Sequence, residues 1–180
     1  MSTQNKKTDW QQMVERVAAI TDKLGMPVDE PIFELVVVLN LLGFTTIGSC
    51  GGHEERVTGG PYVDFESTRA RSYAEQARAV SPTGETAVEY AHLRKKANYY
   101  RALDLKRMLT YLERFYTDKK IDYQHCLIVQ SMPMTYNSLQ CLGAEAGHAL
   151  SAKEHVRMMK KNRAEIRDFC KYLRGIYDAE

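Results

Sequence analysis

The run Ile32 to Phe44, IFELVVVLNLLGF, constrains the fold more than any other stretch of the chain. Only Glu34 and Asn40 interrupt its apolar character before Gly43. A helix that is apolar on every side must be buried on every side, so the remaining chain has to wrap around it. The valines would also suit a buried strand. Helix is favoured because Glu34, Leu35, Leu39 and Leu42 are good formers and Gly43 stands at a natural C′ position. Asp29 can cap the start, with Pro31 in the first turn. The run is too short to cross a bilayer, and no membrane partner is expected.

Around this helix the pattern alternates between helical and β-prone stretches. Residues 1–7 are polar and read as frayed. Thr8 with Gln11 makes a capping box for a first helix, whose stripe is Trp10, Met13, Val14, Val17, Ile20 and Leu24. Gly25 and Pro27 stop it. Thr45–Ser49 and Tyr62–Glu66 are β-prone, and a glycine-rich loop at 51–60 joins them as a hairpin. Val63 and Phe65 should face the core, and Tyr62, Asp64 and Glu66 the other side.

A helix follows with Ala70, Tyr73, Ala74, Ala77 and Val80. A longer one runs from Glu85 to Thr117, with Val88, Leu93, Ala97, Tyr100, Leu105, Met108, Leu109, Leu112 and Phe115 on its apolar face and a kink or break near Asn98. Tyr123–Met132 and Ser138–Leu142 suggest a second hairpin turning at Tyr136-Asn137. The capping box Ser151/Glu154 opens a last helix carrying Val156, Met159, Ile166, Phe169, Leu173, Ile176 and Tyr177. The expected fold is α+β, a small antiparallel sheet of two hairpins packed by about five helices, in one domain over residues 1–180. The apolar last helix is also a candidate face for a homodimer.

With 180 residues, 44% hydrophobic and a net charge of +2, the chain can bury a real core, and its global charge selects no polyanionic partner. The N-terminal MSTQNKKTDW has no apolar leader core. Four scattered cysteines form no disulfide framework. The expectation is a cytoplasmic protein with reduced thiols.

Chemistry concentrates between Gly48 and Glu66. Cys50, Gly51, Gly52 and His53 form a turn at the end of the first β-prone run, followed by Glu54, Glu55 and Arg56. Glycines allow a ligand to approach the backbone closely, though glycines also simply make turns. Cys50 would equally serve as a small buried hydrophobe. The best-supported reading is recognition of a small anionic, nucleotide-like ligand by the amides of Gly51 and Gly52, with Cys50, His53, Tyr62, Asp64 and Glu66 around it.

A second reading is a metal-supported hydrolase. Cys50 and His53 supply two ligands, zinc is the candidate ion, and His125, Cys126, Cys141, His148 and His155 are candidates to complete the set. His53 and Asp64 are the catalytic candidates, because an imidazole and a carboxylate are the usual proton carriers. A thiolate nucleophile at Cys50 lacks a third, orienting group. In a third reading the turn is only structural and the chain is an interaction or inhibitor protein of phage or host.

The residues Leu42-Gly43-Phe44-Thr45-Thr46, Ser49-Cys50-Gly51-Gly52-His53 and Pro61-Tyr62-Val63-Asp64-Phe65 resemble a hairpin pattern of small uncharacterised bacterial and phage proteins, GF-T-x-x-SC-x-GH followed by PYV-x-F. The resemblance covers about residues 35–67 and implies no settled activity. Its members often carry an acidic residue after the cysteine, where this chain has Gly51, so that carboxylate is absent or moved. Ser49–His53 is also similar to the SSC-x-G-R motif of the wybutosine-synthesis methyltransferase-like family, which acts on tRNA. His53 stands there in place of arginine, nothing else matches, and no function is drawn from it.

Finally, Arg94, Lys95, Lys96, Arg101, Lys106, Arg107, Arg114, Lys119 and Lys120 crowd one helix, with Tyr99, Tyr100, Tyr111 and Tyr116 interleaved. That composition suits a nucleic-acid backbone, although a solvated helix face is the plainer expectation. Lys153, Arg157, Lys160, Lys161 and Arg163 read as solvent-facing too.

Overall fold

The computed structural model describes residues 3–54, 60–80, 82–132, 136–144 and 150–179, with side chains from residue 6 onward and excepting residue 132. The elements are α1 (Thr3–Ala18), α2 (Glu30–Leu41), β1 (Thr45–Cys50), β2 (Tyr62–Glu66), α3 (Thr68–Ala79), α4 (Ala87–Tyr116), β3 (Leu127–Met132), β4 (Tyr136–Cys141) and α5 (Ala152–Ala179). The four strands form one antiparallel sheet in the order β1-β2-β4-β3, so the two hairpins join through β2 and β4. The fold is α+β, as expected.

The apolar run is a helix. Val37, Val38 and Leu39 are fully buried at its centre. It ends in a Schellman motif: Gly43 has φ of 81°, its N–H donates to Asn40 O at 3.0 Å, and Phe44 N–H donates to Leu39 O at 2.9 Å. That turn aims β1 back across the sheet. Val63, Phe65 and Leu139 of the sheet meet α2, with Met108 and Leu112 of α4 and Ile166, Phe169 and Leu173 of α5, in a common core. The alternate residues Tyr62, Asp64, Ser138 and Gln140 form the other, polar face, paired across the strands by register.

Several boundaries differ from expectation. Residues 3–7 are helical, and Thr8 is inside α1. The reason is tertiary: Lys6 Nζ donates to Tyr177 O and Asp178 O at 3.2 and 2.9 Å, tying this end to the last turn of α5. At its other end α1 stops at Ala18. The Asp22 carboxylate accepts from the N–H groups of both Leu24 and Met26, drawing the chain into a turn and leaving Leu24 85% exposed.

Residues 123–125 form a 3₁₀ turn capped by Asp122, so β3 starts at Leu127. Tyr136 and Asn137 are paired in β4 with Met132 and Ser131, which places the expected turn outside the described residues. The helix α4 runs unbroken through Asn98, with Val88 and Leu109 exposed. The apolar face of α5 packs on the core through Ile166, Phe169 and Leu173. Among the described residues no helix is long and apolar enough to cross a membrane.

Candidate functional site

The site begins with a helix cap that does not cap. Asp29 holds the N-cap position of α2, but its side chain makes no cap bond. An N-cap side chain accepts from the second or third helical N–H. The second helical residue here is Pro31, which has none. The Asp29 carboxylate turns instead to the glycine turn, where Oδ2 accepts from Gly51 N–H at 2.7 Å. The fit is close: a Cβ on Gly51 would sit 2.8 Å from Asp29 Cβ and 3.1 Å from Pro31 Cδ. Gly52 follows with φ of 75°, under Met159 and Pro61.

This arrangement brings a thiol, an imidazole and a carboxylate together. Donor atoms of Asp29, Cys50 and His53 all lie within 4.8 Å of one another. Around a tetrahedral zinc ion such donors stand about 3.3–3.6 Å apart, from bond lengths of about 2.0–2.3 Å. Among the described residues no other His, Cys, Asp or Glu group of three or more comes so close.

The third donor is therefore Asp29, which the sequence presents only as a cap. His125 bonds Asn162, Cys141 lies against Asn162 O, and His155 lies behind the turn. Cys126 also stays outside the cluster, and His148, Glu55 and Arg56 fall outside the described residues. All four cysteines are thiols.

α5 holds the turn from behind. Arg163 donates from Nε to Gly51 O at 3.0 Å and from Nη2 to Gly52 O at 2.6 Å, and its Nη1 lies 3.3 Å from Glu54 Oε1. Arg163 is thus a structural clamp rather than a solvent-facing charge. His155, 2% exposed, places Nε2 3.3 Å from His53 O. A carbonyl only accepts, so that nitrogen carries the proton.

Register puts Tyr62 directly beside Cys50, and Asp64 two residues on, opposite Gly48. Burial pushes the Tyr62 phenol up, reinforced by the negative charges of Asp64, Cys50, Tyr136 and Asp29. Burial also raises the Asp64 carboxyl, against a hydrogen bond from Ser138 that lowers it. Glu66 is at the other end of the hairpin, opposite Thr45. It is 7% exposed and faces Arg101 and Arg71, so the structure does not bring it to Cys50.

The anion cradle expected of the glycine turn meets a physical obstacle. Gly51 N–H is taken by Asp29, and Gly52 N–H lies 3.4 Å from Cys50 Sγ. Both amides point inward, toward the Asp29 carboxylate and the Cys50 sulfur. Such a surrounding attracts a cation before it attracts an anion. No family model, no curated protein and no solved structure matches the chain.

Proposed function

We propose that Asp29, Cys50 and His53 hold a divalent transition ion of the zinc type and that the chain uses it in hydrolysis of a small anionic substrate. The observation that carries this reading is the convergence of three unlike donors, within 4.8 Å, from segments 21 residues apart. Thiolate, imidazole and carboxylate are the donor set of zinc. Three protein ligands leave a fourth position open, as in catalytic zinc sites, where the ion acidifies water and polarises a substrate oxygen.

The chain's own residues have defined parts in this reading. The Gly51 N–H bond fixes the Asp29 carboxylate, as outer partners commonly fix metal ligands. Arg163 and His155 hold the backbone that carries Cys50 and His53. Asp64, with its raised carboxyl, is the candidate proton acceptor, and Tyr62 beside it is a donor toward substrate. The attraction for anions foreseen in the glycine turn then comes from the ion instead of the amides.

The test is metal analysis and zinc titration of protein purified without chelator, with Co²⁺ as a spectroscopic substitute. One equivalent of metal and a thiolate-to-cobalt absorption band are expected, lost in Cys50→Ser. Asp29→Ala and His53→Ala should each weaken binding beyond the roughly 10–100-fold that an outer partner is worth. Absence of stoichiometric metal, or affinity unchanged in all three variants, overturns the reading.

A further inference from the structure

The α3–α4 pair stands apart from the site just described. It follows the Glu66 end of β2, whereas Cys50 pairs with Tyr62 at the opposite end. The two helices are each other's main partners, joined by Ala70, Ala74 and Ala77 of α3 and by Leu93 and Ala97 of α4. What α4 turns outward along its middle is mainly basic and aromatic.

On α4 the residues His92, Lys95, Tyr99, Leu103 and Lys106 recur at three- and four-residue spacing, and all are exposed. The stripe is about 21 Å long at 1.5 Å per residue. Between Glu89 and Glu113 the only acid on this helix is Asp104, which is buried and turned toward Arg107 and Ser67. The outward charge over this length is therefore entirely positive. Among the described residues, Arg69, Arg94, Lys95, Lys96 and Lys106 are in no ion pair, whereas Arg101, Arg107 and Lys119 are turned inward to Glu66, Asp104 and Glu165. Of the basic stretch read from sequence, Arg101, Arg107 and Lys119 are thus turned inward, whereas Lys95, Lys106, Arg114 and Lys120 are exposed.

Rings lie among these cations. Tyr73 and Tyr100 stack with centroids 5.6 Å apart and planes 5° from parallel. Lys96 sits over Tyr73 at 5.1 Å and Arg69 over Tyr100 at 5.5 Å. Tyr99 packs edge-on against Tyr100 and is itself 60% exposed.

We propose that this face binds single-stranded nucleic acid. Unpaired cations spaced along a helix complement a phosphate backbone, and an exposed ring beside them offers a stacking surface to an unpaired base. A duplex hides the faces of its bases, and an acidic protein has no use for the rings, so a single strand is the occupant that uses both features. The proposal does not depend on the metal reading.

Fluorescence anisotropy with labelled single-stranded RNA and DNA of mixed sequence, and with the matched duplex, tests it. The expected result is binding to single strands at low salt, weaker binding to the duplex, and affinity falling as salt rises with a logarithmic slope of about 0.7 per phosphate contacted. Lys95→Glu with Lys96→Glu should lower both affinity and slope. Tyr99→Ala should lower affinity about fivefold or more with the slope kept. Lys171→Glu serves as a control and should bind as wild type does. No binding at low salt, equal binding of duplex and single strand, or affinity indifferent to the α4 variants overturns the proposal. So does retention on phosphatidylserine vesicles without affinity for oligonucleotide. Circular dichroism checks that each variant keeps its helices; Lys95 and Tyr99 are exposed, and Lys96 is half-buried over the Tyr73 ring.

Discussion

The Cys50–His53 turn and the α3–α4 pair are stabilised in opposite ways. The turn buries little apolar surface of its own. It is held by side chains from far along the chain: Asp29 in front, and Arg163 and His155 behind. The α3–α4 pair depends on neighbours close in sequence, through a seam of alanines, and leaves charges such as Lys95 and Lys106 in water. Three donor atoms can be kept in one small volume only by many constraints. A surface that follows a flexible polyanion needs few. The two regions should therefore respond very differently to comparable substitutions.

The largest contrast is expected between two glycines that share a left-handed backbone. Gly52 has φ of 75° and Gly84 has φ of 70°. Adding a side chain costs each about 1–2 kcal/mol for that conformation. At Gly84, between α3 and α4, a Cβ meets nothing within 4 Å. At Gly52 it meets the buried Met159 thioether and lies 3.2 Å from Pro61 N, which adds about 1–3 kcal/mol of overpacking. In urea denaturation Gly52→Ala should lose clearly more stability than Gly84→Ala, and should also lose metal. Equal losses would mean that the turn is as loosely held as the helix connection.

Next in size is a pair of cations. Arg163→Ala removes three polar contacts from the turn and leaves Gly51 O and Gly52 O without their donor. Charge-assisted bonds of this kind are worth about 1.5–3 kcal/mol, so a loss of about 2 kcal/mol is expected. Lys96→Ala, on the α3–α4 face, should stay within about 0.5 kcal/mol. Thermal denaturation of both variants checks this, and a silent Arg163→Ala would remove the idea of a clamped turn.

This division also explains what could be read from the sequence. The central helix was legible because its apolar character and Gly43 are local signals. The inward set of β2 was legible because Val63 and Phe65 alternate with polar residues. The Ser151/Glu154 capping box was legible too, and both its side chain–backbone contacts are present: Ser151 N–H donates to Glu154 Oε2 and Glu154 N–H to Ser151 Oγ. Cys50 and His53 declared themselves by proximity in the chain. Asp29 did not, because an aspartate before a helix looks like a cap; Pro31 at the second helical position was the available clue that it caps nothing. Arg163 looked like one more solvent-facing cation among Lys160 and Lys161, since its partners are more than a hundred residues away. The helical start of α1 was hidden for the same reason, being fixed by Lys6 on the end of α5. Local patterns located the elements, and the contacts that assemble the site are long-range.

The finest comparison uses two carboxylates on one strand. Asp64 at the site and Glu66 beside the α3–α4 pair both titrate above their ordinary range, chiefly because of burial. For an acid raised on folding, the folded chain holds its proton more tightly than the unfolded one. No stability difference arises well below the ordinary carboxylate value, where both states are protonated. Stability then falls as pH rises from that value through the raised one, and stays lower above it. Asp64→Asn removes this loss while keeping an amide for Ser138, so the variant should be the more stable protein at pH 7–8, with the advantage vanishing below about pH 3. Glu66→Gln should gain less at neutral pH, because attractive partners already offset part of the cost of burying its charge. Arg101, 8% exposed and with its guanidinium already pulled down by burial, would lose the charge that faces it. Denaturation midpoints measured for both variants across pH test the pair. Destabilisation by Asp64→Asn at neutral pH would show that this carboxylate is held by an attractive partner, as Glu66 is, instead of being charged against the cost of its burial.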